Sequence, residues 1–93
     1  MNDIEIRERA KALAREDREL KVALVHARRG AGLTQADVAK LLGVSQQAIN
    51  KFERYDSDPK LSTIRRYANA VGVLVEHRVV LSDDRSMAFA VVE

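Results

Sequence analysis

Four polar side chains, Gln46, Gln47, Asn50 and Lys51, stand close together in the segment SQQAINKFE (45–53). On a helix they share one side, while Ala48, Ile49 and Phe52 are expected on the other. A Gln or Asn amide carries a donor beside an acceptor, the pair that matches the N6/N7 edge of adenine. A lysine ammonium suits phosphate. These residues suit reading base edges rather than breaking bonds, and the sequence holds no set that would. His26 and His77 lie far apart with no carboxylate placed to orient either. There is no serine–histidine–acid arrangement, no metal-ligand cluster and no phosphate-binding glycine loop. An enzyme is not expected, nor any cofactor or metal.

Such a face needs two helices to hold it. In LTQADVAKLLGVSQQAINKFE (33–53), Thr34 is placed as an N-cap, and Asp37 three residues later completes a capping box. Val38, Ala39, Leu41 and Leu42 follow at helical spacing. Gly43 then fits a left-handed turn, Val44 plugs it, and Ser45 caps a second helix ending near Glu53. Ala39 is small where two steeply crossing helices leave little room.

Residues 3–29 are rich in helix formers, and Ile6, Ala10, Leu13, Leu20 and Leu24 give an apolar stripe interrupted at Asp17. The expectation is a solvated amphipathic helix with its Ala/Leu edge on the body, or else an arm for a partner. Gly30 and Gly32 end it, with Gly32 the left-handed one. RYDSDPK (54–60) reads as a loop. A further helix, 61–71, is expected to bury Leu61, Ile64, Ala68 and Val71 and to be closed by Gly72.

Beyond Gly72 the period changes. VLVEHRVVL (73–81) and MAFAVVE (87–93) read as strands about the loop SDDRS. A lone hairpin is marginal in water and leaves two open edges. A homodimer joined through this hairpin is therefore expected, with Val75, His77, Val79 and Phe89 near its centre. The domain reading is one unit over 1–93: a helical extension (1–18), a central core (19–72) and the hairpin (73–93).

The stretch 33–53 resembles the helix-turn-helix of the Xre/Cro/CI repressor family, through Gln35, Ala39, Gly43, Val44, Ile49, Phe52 and Glu53, and the likeness extends over roughly 20–75. The fold implied is mainly α, a lambda-repressor-like helix-turn-helix bundle, here with a C-terminal β-hairpin. The resemblance implies base contacts from Gln46, Gln47, Asn50 and Lys51. It implies phosphate contacts from Thr34, Gln35, Ser45, Arg54 and Lys60, although Asp56 and Asp58 share that loop and oppose them. It also implies an ion pair between Arg28 and Glu53, expected to act as a bridge fixing the recognition helix. The layout is similar to antitoxins of the HigA and HipB kind. The partners implied are double-stranded DNA with a near-palindromic operator, a second copy of the chain and a cognate toxin. A stand-alone transcriptional regulator without a toxin is the other reading.

Composition agrees in outline. Net charge is only +2, but it is unevenly placed: +2 over 1–33 (eight basic, six acidic), zero over 34–44, +2 over 45–66 (five basic, three acidic) and −2 over 67–93 (two basic, four acidic). Positive charge thus accompanies the recognition helix and its flanks. The absence of cysteine excludes disulfides and thiolate metal sites. No apolar run approaches the length of a membrane span, and a cytoplasmic protein is expected.

Overall fold

The computed structural model describes residues 2–82 and 91–92. Helix α1 runs without a break over Asp3–Gly30, followed by α2 (Gln35–Leu42), α3 (Gln46–Glu53) and α4 (Leu61–Val71). The first turn of α1 is capped by Asn2, whose side chain accepts the Glu5 amide at 2.8 Å, and Arg28 and Arg29 complement the dipole in its last turn. Gly32 is left-handed, as the sequence implies.

The turn between α2 and α3 is built from local rules. Thr34 and Asp37 form the reciprocal capping box, with the Asp37 amide donating to Thr34 Oγ1 at 3.0 Å and the Thr34 amide to Asp37 Oδ2 at 2.8 Å. Gly43 takes φ 68°, and the Val44 amide reaches back to Ala39 O at 3.0 Å. Ser45 Oγ then caps α3 by accepting the Ala48 amide. A Cβ on Gly43 would meet nothing within 4 Å. Glycine is therefore required there by the backbone alone and not by crowding.

Leu24 of α1, Val38 and Ala39 of α2, Ile49 and Phe52 of α3, and Tyr67, Ala68 and Val71 of α4 form one buried cluster. Leu20, Leu42 and Ile64 pack at its edge. Tyr67, fully buried, lies on the same helical stripe as Ile64 and Val71 yet stood outside the expected core. Three expected core residues face solvent instead: Leu41 (62% exposed), Leu61 (66% exposed) and Ala48. An eight-residue helix turns only one narrow stripe inward. Val38, Ala39 and Leu42 occupy that stripe in α2, and Ile49 and Phe52 in α3. Leu61 opens the first turn of α4, before the helix meets the core.

The body is too short for α1. At ~1.5 Å per residue α1 is about 42 Å long, against about 12 Å each for α2 and α3. Leu20 and Leu24 pack as expected, whereas Ile6, Ala10 and Leu13 remain exposed. The molecule is elongated accordingly, 46 × 24 × 20 Å.

The β structure among the described residues is one antiparallel pair of two-residue segments, β1 (Val79–Val80) and β2 (Val91–Val92), with Val79 opposite Val92 and Val80 opposite Val91. The strand expected from residue 73 makes no ladder over 73–78. Its start is tied to the bundle: the Val73 amide donates to Ala68 O at 3.0 Å, and Val75 packs against the core. Most of the second expected strand, 87–93, lies outside the described residues.

Candidate nucleic-acid interface

Gln46, Gln47, Asn50 and Lys51 are all exposed on α3, opposite buried Ile49 and Phe52. The side chains of Gln46, Gln47 and Lys51 make no hydrogen bond to the described residues, leaving their donors and acceptors open. Thr34 and Ser45 lie at the N-termini of α2 and α3, where unpaired first-turn amides and the helix dipole favour an anion. The Thr34 amide itself is taken by Asp37, whose carboxyl is held below its usual range by the backbone and side-chain hydrogen bonds with Thr34.

The inward side of this surface is held by a buried polar network. Arg28 grips Glu53 through Nε to Oε2 at 2.7 Å and Nη2 to Oε1 at 3.1 Å, a bidentate ion pair whose side chains are only 9% and 7% exposed. Arg28 Nη1 also donates to Leu33 O at 2.7 Å. Glu53 accepts the Tyr67 hydroxyl at 2.7 Å and the Gln35 amide at 3.0 Å. One carboxylate thus joins all four helices.

Burial alone would raise the Glu53 carboxyl, but the hydrogen bonds from Arg28, Tyr67 and Gln35 outweigh it and hold the group below its usual range. The bond to Glu53 raises Arg28 against an opposing effect of burial. Burial, then donation to Glu53, pushes the Tyr67 phenol far above its ordinary value. The expected Arg28–Glu53 pair is present in its bridging geometry.

Gln35, expected on phosphate, is half-buried and turned toward α3. It donates to Glu53 and accepts from Asn50 Nδ2 at 3.4 Å, which also gives Asn50 a partner within the chain. Arg54 is exposed and pairs with Asp56 at 3.1 Å, so its charge is partly countered, as the acidic residues of that loop imply. Lys60 is exposed and precedes α4. Of the residues expected at a dimer centre, Val75 is half-buried on its own core, His77 and Val79 are exposed, and Phe89 lies outside the described residues.

Lys21 is the member of the site that sequence reasoning missed. It is buried (8% exposed), and its ammonium donates to Arg54 O at 2.7 Å, Ser57 O at 2.9 Å and Ser57 Oγ. Ser57 Oγ in turn donates to Phe52 O. Three donors meet three acceptors at the C-terminal end of α3, where the helix dipole also favours a cation. Arg66 acts similarly on α2, donating to Leu42 O at 2.9 Å. Backbone acceptors have no residue-type signature, so only the lysine's place on the inward side of α1 hinted at this role.

Two short capped helices joined by a left-handed glycine, the second with a polar outer face and an inner face locked to its neighbours, define a helix-turn-helix protein. The helix-turn-helix family profile matches residues 25–76, and the chain belongs to that family, in its Xre-type form. It is 48% identical over 58 residues to antitoxin HigA1 of Mycobacterium tuberculosis, a match covering 62% of this chain and 39% of HigA1. It is 42% identical over 52 residues to an uncharacterized HTH-type transcriptional regulator of Methanocaldococcus jannaschii, covering 56% of this chain and 79% of that protein. The match therefore spans about two fifths of the HigA1 length. No solved structure matches the chain.

Proposed function

We propose that this protein is a sequence-specific DNA-binding transcriptional repressor and the antitoxin of a toxin–antitoxin pair, repressing its own operon. The observation that carries the DNA-binding reading is the exposed Gln46, Gln47, Asn50 and Lys51 face on a helix whose inward side is locked by Arg28, Glu53 and Lys21. In this reading α3 enters the major groove, and Gln46 and Gln47 address base edges. Thr34, Ser45, Arg54 and Lys60 lie along the phosphates, while Gln35 supports α3 from within through Glu53 and Asn50. The antitoxin assignment is supported by the likeness to a protein named antitoxin HigA1. The Methanocaldococcus jannaschii relative, named only as an HTH-type transcriptional regulator, supports the alternative of a regulator without a toxin.

The first test is a gel-shift titration on the DNA upstream of the gene. Gln46→Ala/Gln47→Ala is expected to lose selectivity over competitor DNA by about 1–3 kcal/mol for each base pair no longer read. Retained affinity and selectivity would remove α3 from the groove. Co-purification with the product of the neighbouring gene separates the antitoxin from the stand-alone regulator.

The functional unit in this reading is a two-fold dimer joined through the C-terminal segment as a hairpin. It would set two recognition helices about 34–36 Å apart on a near-palindromic operator. His77 and Val79, both exposed in the single chain, would meet the partner together with Phe89. Truncation after Glu76, which leaves Val75 on the core, is expected to give a folded monomer that binds DNA weakly and without cooperativity. Sedimentation of that fragment as a tight dimer would move the interface to α1.

A further inference from the structure

The charges of α1 are sorted by face. Arg7, Lys11, Arg15, Arg18, Val22, His26 and Arg29 recur at steps of four, four, three, four, four and three residues, which places them on one stripe of the helix. All seven are exposed. Glu5, Glu16 and Asp17 fall clear of the stripe, and Asp3 and Glu19, four residues from Arg7 and Arg15, border it. Glu8 touches its edge, where it reaches Lys11 at 3.4 Å in a well-exposed pair. From Arg7 to Arg29 the stripe is about 33 Å long, close to one turn of duplex DNA. The family match begins only at residue 25, so most of this stripe lies outside it.

The C-terminal half of the stripe faces the end of α3. Arg18, His26 and Arg29 line one wall of an open groove of about 320 Å³, and Tyr55, immediately beyond the end of α3, lines the other. Tyr55 is 79% exposed although it is a large aromatic side chain. Glu53, the acidic residue of that groove, is already engaged by Arg28, Tyr67 and Gln35. Arg7, Lys11, Arg15 and Arg18, at three- and four-residue steps, lie roughly 5–6 Å apart in a positive row, and Arg29 follows about 16 Å further along, past Val22 and His26. The partner whose charge is likewise linear, and negative, is a nucleic-acid backbone, which carries one charge per ~3.4 Å of each strand.

We propose that the basic stripe of α1, from Arg7 to Arg29 with Tyr55 at its edge, is a second contact with the phosphate backbone of the duplex read by α3. This inference rests on the DNA-binding reading of α3. The N-terminal part of α1, beyond the helical core, thereby lengthens the footprint past the helix-turn-helix without adding sequence preference.

The test uses the full chain and a fluorescent duplex of mixed sequence about three turns long, with affinity followed by anisotropy between about 50 and 200 mM salt. Arg15→Gln/Arg18→Gln is compared with Lys40→Gln/Arg65→Gln, which removes the same charge from exposed positions off the stripe. Thermal melts confirm that both variants fold. The stripe variant is expected to flatten the log-affinity against log-salt slope by roughly 1.8, two contacts at ~0.9 each, with less than half that change in the control. Equal changes in the two variants would reduce the effect to net charge and overturn the proposal. An unchanged slope in the stripe variant, with the parent still binding, would also overturn it and leave an acidic protein surface as the partner of the stripe. A parent chain that binds no duplex at low salt would sink the reading of α3 itself, and this proposal with it.

Discussion

Glu53→Ala is expected to destabilise the protein by about 3–5 kcal/mol, because it leaves the buried Arg28 guanidinium without its counter-charge and the Tyr67 hydroxyl and Gln35 amide without an acceptor. For a domain of this size that is a fall in melting temperature of roughly 12–25 °C. The loss belongs to breaking the pair rather than to the pair's net worth. Arg28→Met/Glu53→Leu should therefore recover the part due to the unpaired charge, the Tyr67 hydroxyl and Gln35 amide still lacking their acceptor. A single Glu53→Ala variant melting within a few degrees of the parent would contradict the burial of this network.

The pH dependence follows from the same carboxylate. Its folded value is depressed, so its contribution is present above the ordinary glutamate range and is lost as pH falls through the folded value. The Tyr67 phenol is raised, so the unfolded chain ionises first and stability declines as pH rises beyond about 10. In Glu53→Ala the acid-side slope of stability should shrink.

Phe52→Ala is expected to cost about 3–5 kcal/mol, by loss of a buried ring and the cavity it leaves. The ring is stacked on Tyr67 at 4.5 Å between centroids with 23° between planes. It thereby positions the phenol that donates to Glu53, and the two substitutions are expected to be non-additive. Urea unfolding is the measurement: the midpoint should fall with the slope unchanged. Phe52→Leu, which keeps most of the volume, should cost appreciably less. A loss below about 1 kcal/mol for alanine would place the ring outside the core.

The local devices were legible in the sequence. Thr34 with Asp37, Gly43, Ser45 and Gly32 act within three or four residues of themselves, and short-range rules suffice to place them. Ile49 and Phe52 were legible from period, and the outward polar face followed from them. What escaped depends on distant partners. Lys21 reads as one more charge on a charged helix until the carbonyls of residues 54 and 57 are brought to it by the fold. Leu41 and Leu61 look like core residues because hydropathy records side-chain type and not which neighbours arrive. The arm of α1 shows the same limit: its apolar stripe is present, but the body ends before reaching Ile6, Ala10 and Leu13. The strand expected from residue 73 had the right composition, yet Val73 and Val75 are recruited by the bundle.

The structural obligations of α3 are confined to its ends and inner side. Ser45 caps its start, Lys21 holds its finish, Glu53 ties it to the other helices, and Ile49 and Phe52 anchor it. Gln46, Gln47 and Lys51 carry none of that burden. The fold and its address are thus written in separate letters. Those three positions can be exchanged almost freely at small cost to stability, so, on the reading of α3 proposed above, the same scaffold can be redirected to a new DNA sequence by a handful of substitutions. Any change at Arg28 or Glu53 would disturb every address at once.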